Sequence, residues 1–297
     1  MYQKIPVSDF SIGSIPTIQD LEFNYLKNII YEKTGISLAP HKKIMLQSRL
    51  NIRLRQNKIS SFHDYVKKLK QEPDFFKSEI HEIINRITTN KTDFFRENHH
   101  FEYLKKTALP AIEEKARFGR KTVRIWCSAS STGEEPYSIA ITLHDYFATK
   151  PGWDIKVFAS DIDTNVLTHA DKGIYKEDRF AAVPKDIVMK HFTLLNNSSD
   201  GKEYRIKPNI RELVTFKKIN LLDPSYPFME KFDIIFCRNV IIYFDKPTQK
   251  AIFQKMEKVL ADEGLLIIGH SETLFGITEN FKFLGHTIYQ RKPQNQL

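Results

Sequence analysis

Cysteine is almost absent from this sequence, and so is any apolar run long enough to cross a bilayer. Only Cys127 and Cys237 occur among 297 residues. Each sits inside a short, strand-like apolar run, so they read as reduced core thiols in a reducing compartment and not as a disulfide framework or a cysteine metal centre. No stretch approaches the length of about 18 apolar residues that a membrane helix needs. The opening MYQKIPVSDFSIGSIP lacks the apolar segment of a signal peptide, and residues 1–16 read as a flexible, cytoplasmic beginning. There is no GxGxxG and no GxxxxGK[ST], which weakens binding of NAD, FAD, ATP or GTP. Zinc-finger spacings, RNP-like aromatic motifs and basic tails are missing too, which speaks against nucleic acid. Acidic residues are in short supply, 36 against 45 Lys and Arg for a formal net charge of +9. The partner or substrate is therefore expected to be anionic.

What is present divides the chain in two. The hydrophobic share of 41% and charged share of 27% are those of an ordinary globular protein, and the length accommodates two domains with cores of their own. Residues 17–87 carry apolar positions at helical spacing, such as Phe23, Leu26 and Ile30. Gly35 is a stop, and Ser60 or Ser61 is an N-cap before Phe62 to Leu69, which predicts an all-helical N-terminal domain. Between residues 39 and 63 six basic residues stand without an acidic one. On an ideal helix Lys42, Arg49 and Arg53 fall within about 40° of one another, either a solvated face or a docking stripe.

Residues 88–97 read as a linker and residues 98–117 as helical, and at Val123 the pattern changes to short apolar strands alternating with amphipathic helices. The strands predicted are Val123 to Cys127, Ile155 to Ser160, Leu213 to Lys217, Asp233 to Cys237 and Leu265 to Ile268, with a closing hairpin of Phe281 to Leu284 and Thr287 to Arg291. Such an antiparallel ending is the plan of the methyltransferase variant of the doubly wound fold, whereas dinucleotide dehydrogenases usually continue with a parallel strand. The stretch 173–211 breaks the alternation, and its polar turn Asn196 to Gly201 predicts an inserted β-subdomain over about 176–211.

Four segments carry candidate chemistry. The loop Ser128 to Tyr137 is rich in small residues and opens a helix, so backbone can approach a ligand there. Its paired Glu134 and Glu135 would repel a pyrophosphate but suit a cationic amino or sulfonium group, although glutamate also favours a helix start by itself. Asp161 directly follows the second strand, where an acidic residue bonds ribose hydroxyls; Asp163 is the alternative but reads as the next helix cap. Arg238, Asn239 and Tyr243 follow the fourth strand, where open α/β sheets bind ligands. The linker Thr88 to Glu97 is dense in hydrogen-bonding groups and two phenylalanines, as an interdomain connector or a lid would be.

Taken together, TTNKTDFFRE (88–97), STGEEPYSIA (131–140), FASDIDTNVL (158–167), GIY (173–175), INLLD (219–223), FDIIFCRNVIIYFD (232–245) and GHSETL (269–274) resemble, in order and spacing, the chemotaxis receptor glutamate methyltransferases of the CheR type. The resemblance implies a Rossmann-like S-adenosylmethionine-dependent methyltransferase domain with an inserted small β-subdomain, preceded by an all-helical N-terminal domain. Carried over position by position, it implies cofactor contacts at Asn90, Thr92, Arg96, Glu135, Asp161, Asn220, Leu221, Arg238 and Asn239. Arg96 and Tyr243 would orient the reacting groups, S-adenosylhomocysteine would be the product, and no metal is expected. The implied substrates are glutamates on the acidic cytoplasmic helices of chemoreceptors, with Lys42, Arg49 and Arg53 as the docking stripe. The segment around Tyr204 to Lys207 resembles the part of some members that captures a receptor C-terminal peptide by strand addition. A cytoplasmic monomer recruited to receptor arrays completes the expectation. A methyltransferase of another substrate and a regulatory sensor are the alternatives. A glutamate carboxylate is already ionised at pH 7 and needs no general base. Alignment of its oxygen about 3 to 3.5 Å from the methyl carbon then has to do the work.

Overall fold

A computed structural model describes residues 16–198 and 201–293. The flexible beginning expected at 1–16 lies outside the described residues except for Pro16, as does the tip of the turn between Asn196 and Gly201. Two compact units result, one built from the chain up to Ile29 with Leu38–Ile87, the other from Ile30–Ser37 with the chain from Thr88 onward.

The first unit contains most of α1 (Asp20–Thr34), then α2 (Lys43–Gln56), α3 (Phe62–Gln71) and α4 (Pro73–Ile87). Helical spacing buries Leu46, Leu50 and Leu54 on α2 and Ile80, Ile83, Ile84 and Ile87 on α4. Ser61 is the cap of α3, its hydroxyl accepting the Asp64 N–H at 3.0 Å. The basic stripe takes a different form from the one its spacing suggests. Lys42 lies in a 3-10 turn before α2, out of register with the helix, and is exposed. Arg53 forks onto Glu79 at 2.8 and 2.7 Å and reaches Glu82 at 3.1 Å. Arg49 donates to the Ile87 carbonyl at the end of α4. Two of the three basic groups therefore tie α2 to α4, because a helical wheel finds a common face but not what covers it. Glu79 is 3% exposed and also accepts the Tyr65 hydroxyl at 2.7 Å. Arg53→Ala strands that carboxylate, and a loss of about 3 kcal/mol is expected in chemical unfolding. Arg55→Ala, at an exposed position, is expected to change stability by less than about 0.5 kcal/mol.

In the second unit α5 (His99–Tyr103) runs through a π turn, Leu104–Ala108, into α6 (Leu109–Lys115). Pro110 has no N–H to give residue 106, and the turn before it widens. Alternation follows: β1 (Thr122–Cys127), α7 (Glu134–Phe147), β2 (Asp154–Asp161) and α8 (Thr164–Lys172). The inserted part holds β3 (Ile174–Lys176), α9 (Lys185–His191), β4 (Phe192–Ser198), β5 (Gly201–Ile206) and α10 (Pro208–Arg211). The main sheet resumes with β6 (Val214–Lys218), β7 (Phe232–Cys237), α11 (Lys246–Val259), β8 (Leu260–Ile268), β9 (Phe281–Gly285) and β10 (Ile288–Arg291).

The main sheet has the order β6-β2-β1-β7-β8-β10-β9, parallel from β6 through β8, with β10 antiparallel to both its neighbours. Both faces are covered. Val123, Ile125, Ile234 and Phe236 enter one core, while Trp126, Ile235 and Cys237 enter the other. That double burial is why these strands read as unbroken apolar runs. Cys127 and Cys237 are buried free thiols. β8 begins at Leu260, five residues before the apolar run. The polar Asp262-Glu263-Gly264 is a bulge in the ladder, with the register shifting between Phe232 and Ile234 opposite it. The insert is a separate antiparallel sheet, β3-β5-β4. Tyr204 pairs with Tyr175 on one side and Leu194 on the other. Tyr204 to Ile206 lie in β5, the central strand, so a peptide added to this sheet as a strand would pair with an outer strand, β3 or β4.

Candidate active site

Strand order reverses between β1 and β7, so the loops leaving their C-terminal ends diverge and open a crevice there. Three hydrogen bonds shape its floor. Ser130 N–H donates to the Ser160 carbonyl at 2.8 Å, Ser131 N–H to Asp161 Oδ2 at 2.8 Å, and Ile219 N–H to the Asp161 carbonyl at 3.2 Å. Gly133 takes φ +100°, and a Cβ there would stand 2.6 Å from the Tyr175 hydroxyl and 2.8 Å from the Ala170 Cβ. Only glycine fits this turn into α7.

The paired glutamates behave differently from the sequence expectation, since each has its own cation, the half-exposed Arg179 for Glu134 and the buried Arg238 for Glu135. Glu134 is 1% exposed and accepts Arg179 Nε at 3.0 Å and the Thr132 hydroxyl at 2.6 Å. Glu135 accepts Arg238 Nη1 and, at 3.2 Å, the Cys127 thiol. Neither is an unpaired anion awaiting a cationic ligand. Asp161 and Asp163 divide their tasks as adjacent carboxylates should. Asp163 caps α8 through the N–H groups of Asn165 and Val166 and holds the linker through Thr88 Oγ1 at 2.9 Å and Asn90 Nδ2 at 2.8 Å. Asp161 accepts the N–H groups of Ser131 and Asp163, one on each oxygen, with that of Ile162 beside them, which leaves acceptor capacity for a further donor. Burial pushes its pKa up to about 6 against those backbone bonds.

The segment Thr88 to Glu97 is fastened into this crevice. Phe94 is its anchor, stacked on Phe180 and edge-on to Tyr175 and Phe192. The Asn90 carbonyl accepts the Ser131 hydroxyl at 3.1 Å, the buried Thr92 lends its carbonyl to Arg179, and Ser138 Oγ accepts the Phe95 N–H at 2.9 Å. Arg96 is half-buried, with Nη1 donating to the Lys91 carbonyl at 3.0 Å. Arg238 is at the centre, its side chain 0% exposed, between Glu135 and Glu97 and donating to the Arg96 carbonyl. Burial alone would raise the pKa of Glu97, but the hydrogen bond from His270 and the Arg238 charge hold it at about 2.

Beyond Arg238 the backbone turns at Asn239, whose side chain reaches Glu97 at 3.4 Å. Tyr243 follows in a 3-10 turn, half-buried, its carbonyl accepting the Ser37 N–H at 2.9 Å. Asn220, after β6, spends its amide on the Lys33 carbonyl at 2.7 Å and the Leu222 N–H at 3.0 Å, and Leu221 beside it is 6% exposed. Phe95, Glu97, Ser131 and Asn239 all lie in the left-handed region, at φ between 48° and 57°. Such strain clusters where a site is over-determined by its surroundings.

Asn90, Glu135, Asp161, Arg238, Asn239 and the backbone of Arg96 thus belong to one connected network, in which Arg238 and Glu135 face each other. Glu97, Glu272, Arg179 and His270 were missed by sequence reasoning. Glu272 is 6% exposed and accepts backbone N–H groups from Gly269, Asn239, Val240 and Ile241 at 2.6 to 2.9 Å. Its place in GHSETL was the available signal. His270, 66% exposed, bonds Glu97 through Nδ1 at 2.8 Å, so a histidine does stand at the crevice.

Comparison with known proteins agrees with this arrangement over nearly the whole chain. The model of the CheR methyltransferase SAM-binding domain matches residues 90–290, and that of the CheR methyltransferase all-alpha domain matches residues 21–88. The chemotaxis protein methyltransferase of Escherichia coli K12 is 40% identical over 273 residues, 92% of this chain and 91% of that protein. Those of Salmonella typhimurium LT2 and Borreliella burgdorferi are 40% and 38% identical, covering 92% and 91% of this chain and 90% and 94% of theirs. With a SAM-binding domain folded around the crevice and an all-helical domain before it, the chain belongs to the CheR methyltransferase family.

Proposed function

We propose that this protein transfers the methyl group of S-adenosylmethionine to glutamate side-chain carboxylates of bacterial chemoreceptors, leaving glutamate methyl esters and S-adenosylhomocysteine. The observation that carries the reading is the buried Arg238 knot, which fixes the backbone of Arg96 and the turn leading to Tyr243 on one crevice. The printed names of the relatives support the chemotaxis setting. Several features of the crevice fit the cofactor. Asp161 keeps lone pairs for ribose hydroxyls, Gly133 keeps the loop free of a Cβ, and Ser130 Oγ and Arg238 Nε are buried there without a protein partner. Asn90, Thr92, Glu135, Asn220, Leu221 and Asn239 complete the wall, Glu135 acting through the Arg238 side chain it holds and Asn220 through backbone.

When bound, S-adenosylmethionine supplies an electrophilic methyl carbon. The half-exposed Arg96 guanidinium would steer the incoming carboxylate, and Tyr243 would orient the reacting groups. No proton has to move from an ionised carboxylate. His270 therefore has a structural part, holding Glu97. His270→Gln, which can still donate to Glu97, is expected to leave turnover on a receptor fragment within about tenfold. A substrate hydroxyl or amine using His270 as its base would lose about 10² to 10⁴ instead.

The deciding experiment is transfer of labelled methyl to a receptor cytoplasmic fragment. Base-labile label that disappears when the fragment's glutamates are replaced by alanine is expected; base-stable label, or none, would sink the substrate assignment. The raised pKa of Asp161 adds a second check on cofactor binding. The ionised carboxylate accepts ribose hydroxyls more strongly than the protonated one, so S-adenosylhomocysteine affinity measured by calorimetry should fall as pH drops below about 6, by at most about tenfold per pH unit. Asp161→Asn should bind weakly with no such slope.

The acidic receptor helices would meet the exposed basic groups of the helical domain, Lys42 with Arg55 and Lys58. Arg49 and Arg53 would contribute by keeping α2 in place, and each surface contact would add at most about 1 kcal/mol, screened by salt. A receptor tail peptide would pair with the open edge of β4, where Leu194 and Leu195 are exposed. No helix among the described residues is long and apolar enough to cross a membrane. The reading places the protein in the cytoplasm, as a monomer recruited to receptor arrays.

A further inference from the structure

We infer that His144, Asp145 and His191 form a binding site for one divalent transition-metal ion of the zinc type, away from the crevice, that clips the inserted β-subdomain to α7. His144 and Asp145 lie in the last turn of α7, and His191 is the last residue of α9, just before β4. Asp145 stands between the two rings, Oδ1 3.4 Å from His144 Nδ1 and Oδ2 3.1 Å from His191 Nε2. One donor atom from each residue lies within 4.8 Å of the others. A tetrahedral zinc ion with bonds of about 2.0 to 2.2 Å needs its ligands about 3.3 Å apart. A small turn of the half-exposed His144 ring closes that gap, while the buried His191 ring stays fixed.

The surroundings favour a cation. Two helix C-termini meet here with their carbonyl ends, which carry negative partial charge. The site already attracts a positive group, since Lys190 Nζ is 2.8 Å from Asp145 Oδ1, on a side chain 56% exposed and easily displaced. Asn209 lies 3.0 Å from His144 Nε2. A half-turn of its amide lets the oxygen accept from Nε2–H, which leaves Nδ1 free to coordinate. Two imidazoles and one carboxylate suit zinc, cobalt, nickel or copper and not calcium or magnesium, which want oxygen ligands. His144 is ten residues along α7 from Glu134, about 15 Å from the crevice loop, so this ion would take no part in methyl transfer. The cluster Glu97, His99 and His100 is a poorer candidate, because Glu97 is already held by Arg238 and His270.

The test is titration of the untagged full chain with Zn²⁺, followed by thermal unfolding, and with Co²⁺, followed by visible absorption. One equivalent of Zn²⁺ is expected to raise the melting temperature, and Co²⁺ to give the strong visible bands of a low-coordinate site. His144→Ala, at a half-exposed position that should not disturb folding, is expected to weaken binding at least about 100-fold and to leave methyl transfer unchanged. Lys190→Ala removes the competing ammonium and should tighten binding. No shift in melting temperature at about 100 μM Zn²⁺ would overturn the inference. So would binding that survives His144→Ala and is lost in His99→Ala.

Discussion

Replacing Arg238 with alanine is expected to cost the second unit about 3 to 5 kcal/mol and to remove cofactor binding with it. The guanidinium is fully enclosed and stands between Glu135 and Glu97, both at most 10% exposed at their side chains. Without it Glu135 loses its guanidinium partner and Glu97 falls back on His270 at 2.8 Å and Arg96 at 4.0 Å, and breaking a buried ion pair from one side is costly. The Arg96 carbonyl loses its donor in the same step. The effect should depend on pH in a definite sense. Glu97 has its folded pKa depressed to about 2, so its contribution is present above the ordinary glutamate range and is lost as pH falls toward 2. In Arg238→Ala that part of the acid limb of the stability curve should shrink, the His270 and Asn239 hydrogen bonds to Glu97 remaining. Urea unfolding of the full chain at pH 7 and at about pH 3, with S-adenosylhomocysteine calorimetry at pH 7 beside it, measures both effects. Arg238→Lys keeps the charge but not the fork and should fall between wild type and alanine. An alanine variant as stable as wild type, binding the product equally well, would show that the knot does not organise the crevice.

The parts of this architecture that were legible in the sequence are those fixed by local periodicity. β1, β2 and β7 lie in doubly buried layers, and each reads as an apolar run with ends correct to one residue. β8 was misjudged at its start because the bulge at Asp262 to Gly264 looks like a turn. It stays in the ladder only because Phe232 and Leu260 pair across it. Pairings between distant residues could not be read at all. Arg238 meets Glu135 across 103 residues, and Asn90 meets Asp163 across 73. The sequence supplies the right residue types at the crevice, yet it cannot say that Glu135 is already neutralised or that Asp161 spends a lone pair of each oxygen on backbone. The helical wheel that aligned Arg49 and Arg53 failed for the same reason, since α4 lies across that face.

Glu272→Gln is expected to lower turnover by about 100-fold while the protein stays folded. The carboxylate gathers the N–H groups of Gly269, Asn239, Val240 and Ile241, and so ties the loop after β8 to the loop after β7. Burial raises its pKa even though these four bonds favour the ionised form. A glutamine has one acceptor oxygen and points an NH₂ at the remaining donors, so at least one pair of backbone N–H groups is turned away. Asn239 is held at φ 57° and Gly269 packs against it, where a Cβ would lie 2.5 Å from the Asn239 Nδ2. Releasing this turn moves Tyr243, four residues on, relative to Arg96. A misplacement of about 1 Å at a site working by alignment is enough for about a 100-fold loss. The signature is a fall in kcat with receptor KM nearly unchanged, because the groups proposed to dock the receptor lie on the helical domain and are untouched. Tyr243→Phe in the Glu272→Gln background supplies the control. If Glu272 acts by placing Tyr243, the two losses should be far from additive, whereas full additivity would mean that the loop tie and the tyrosine serve separate steps.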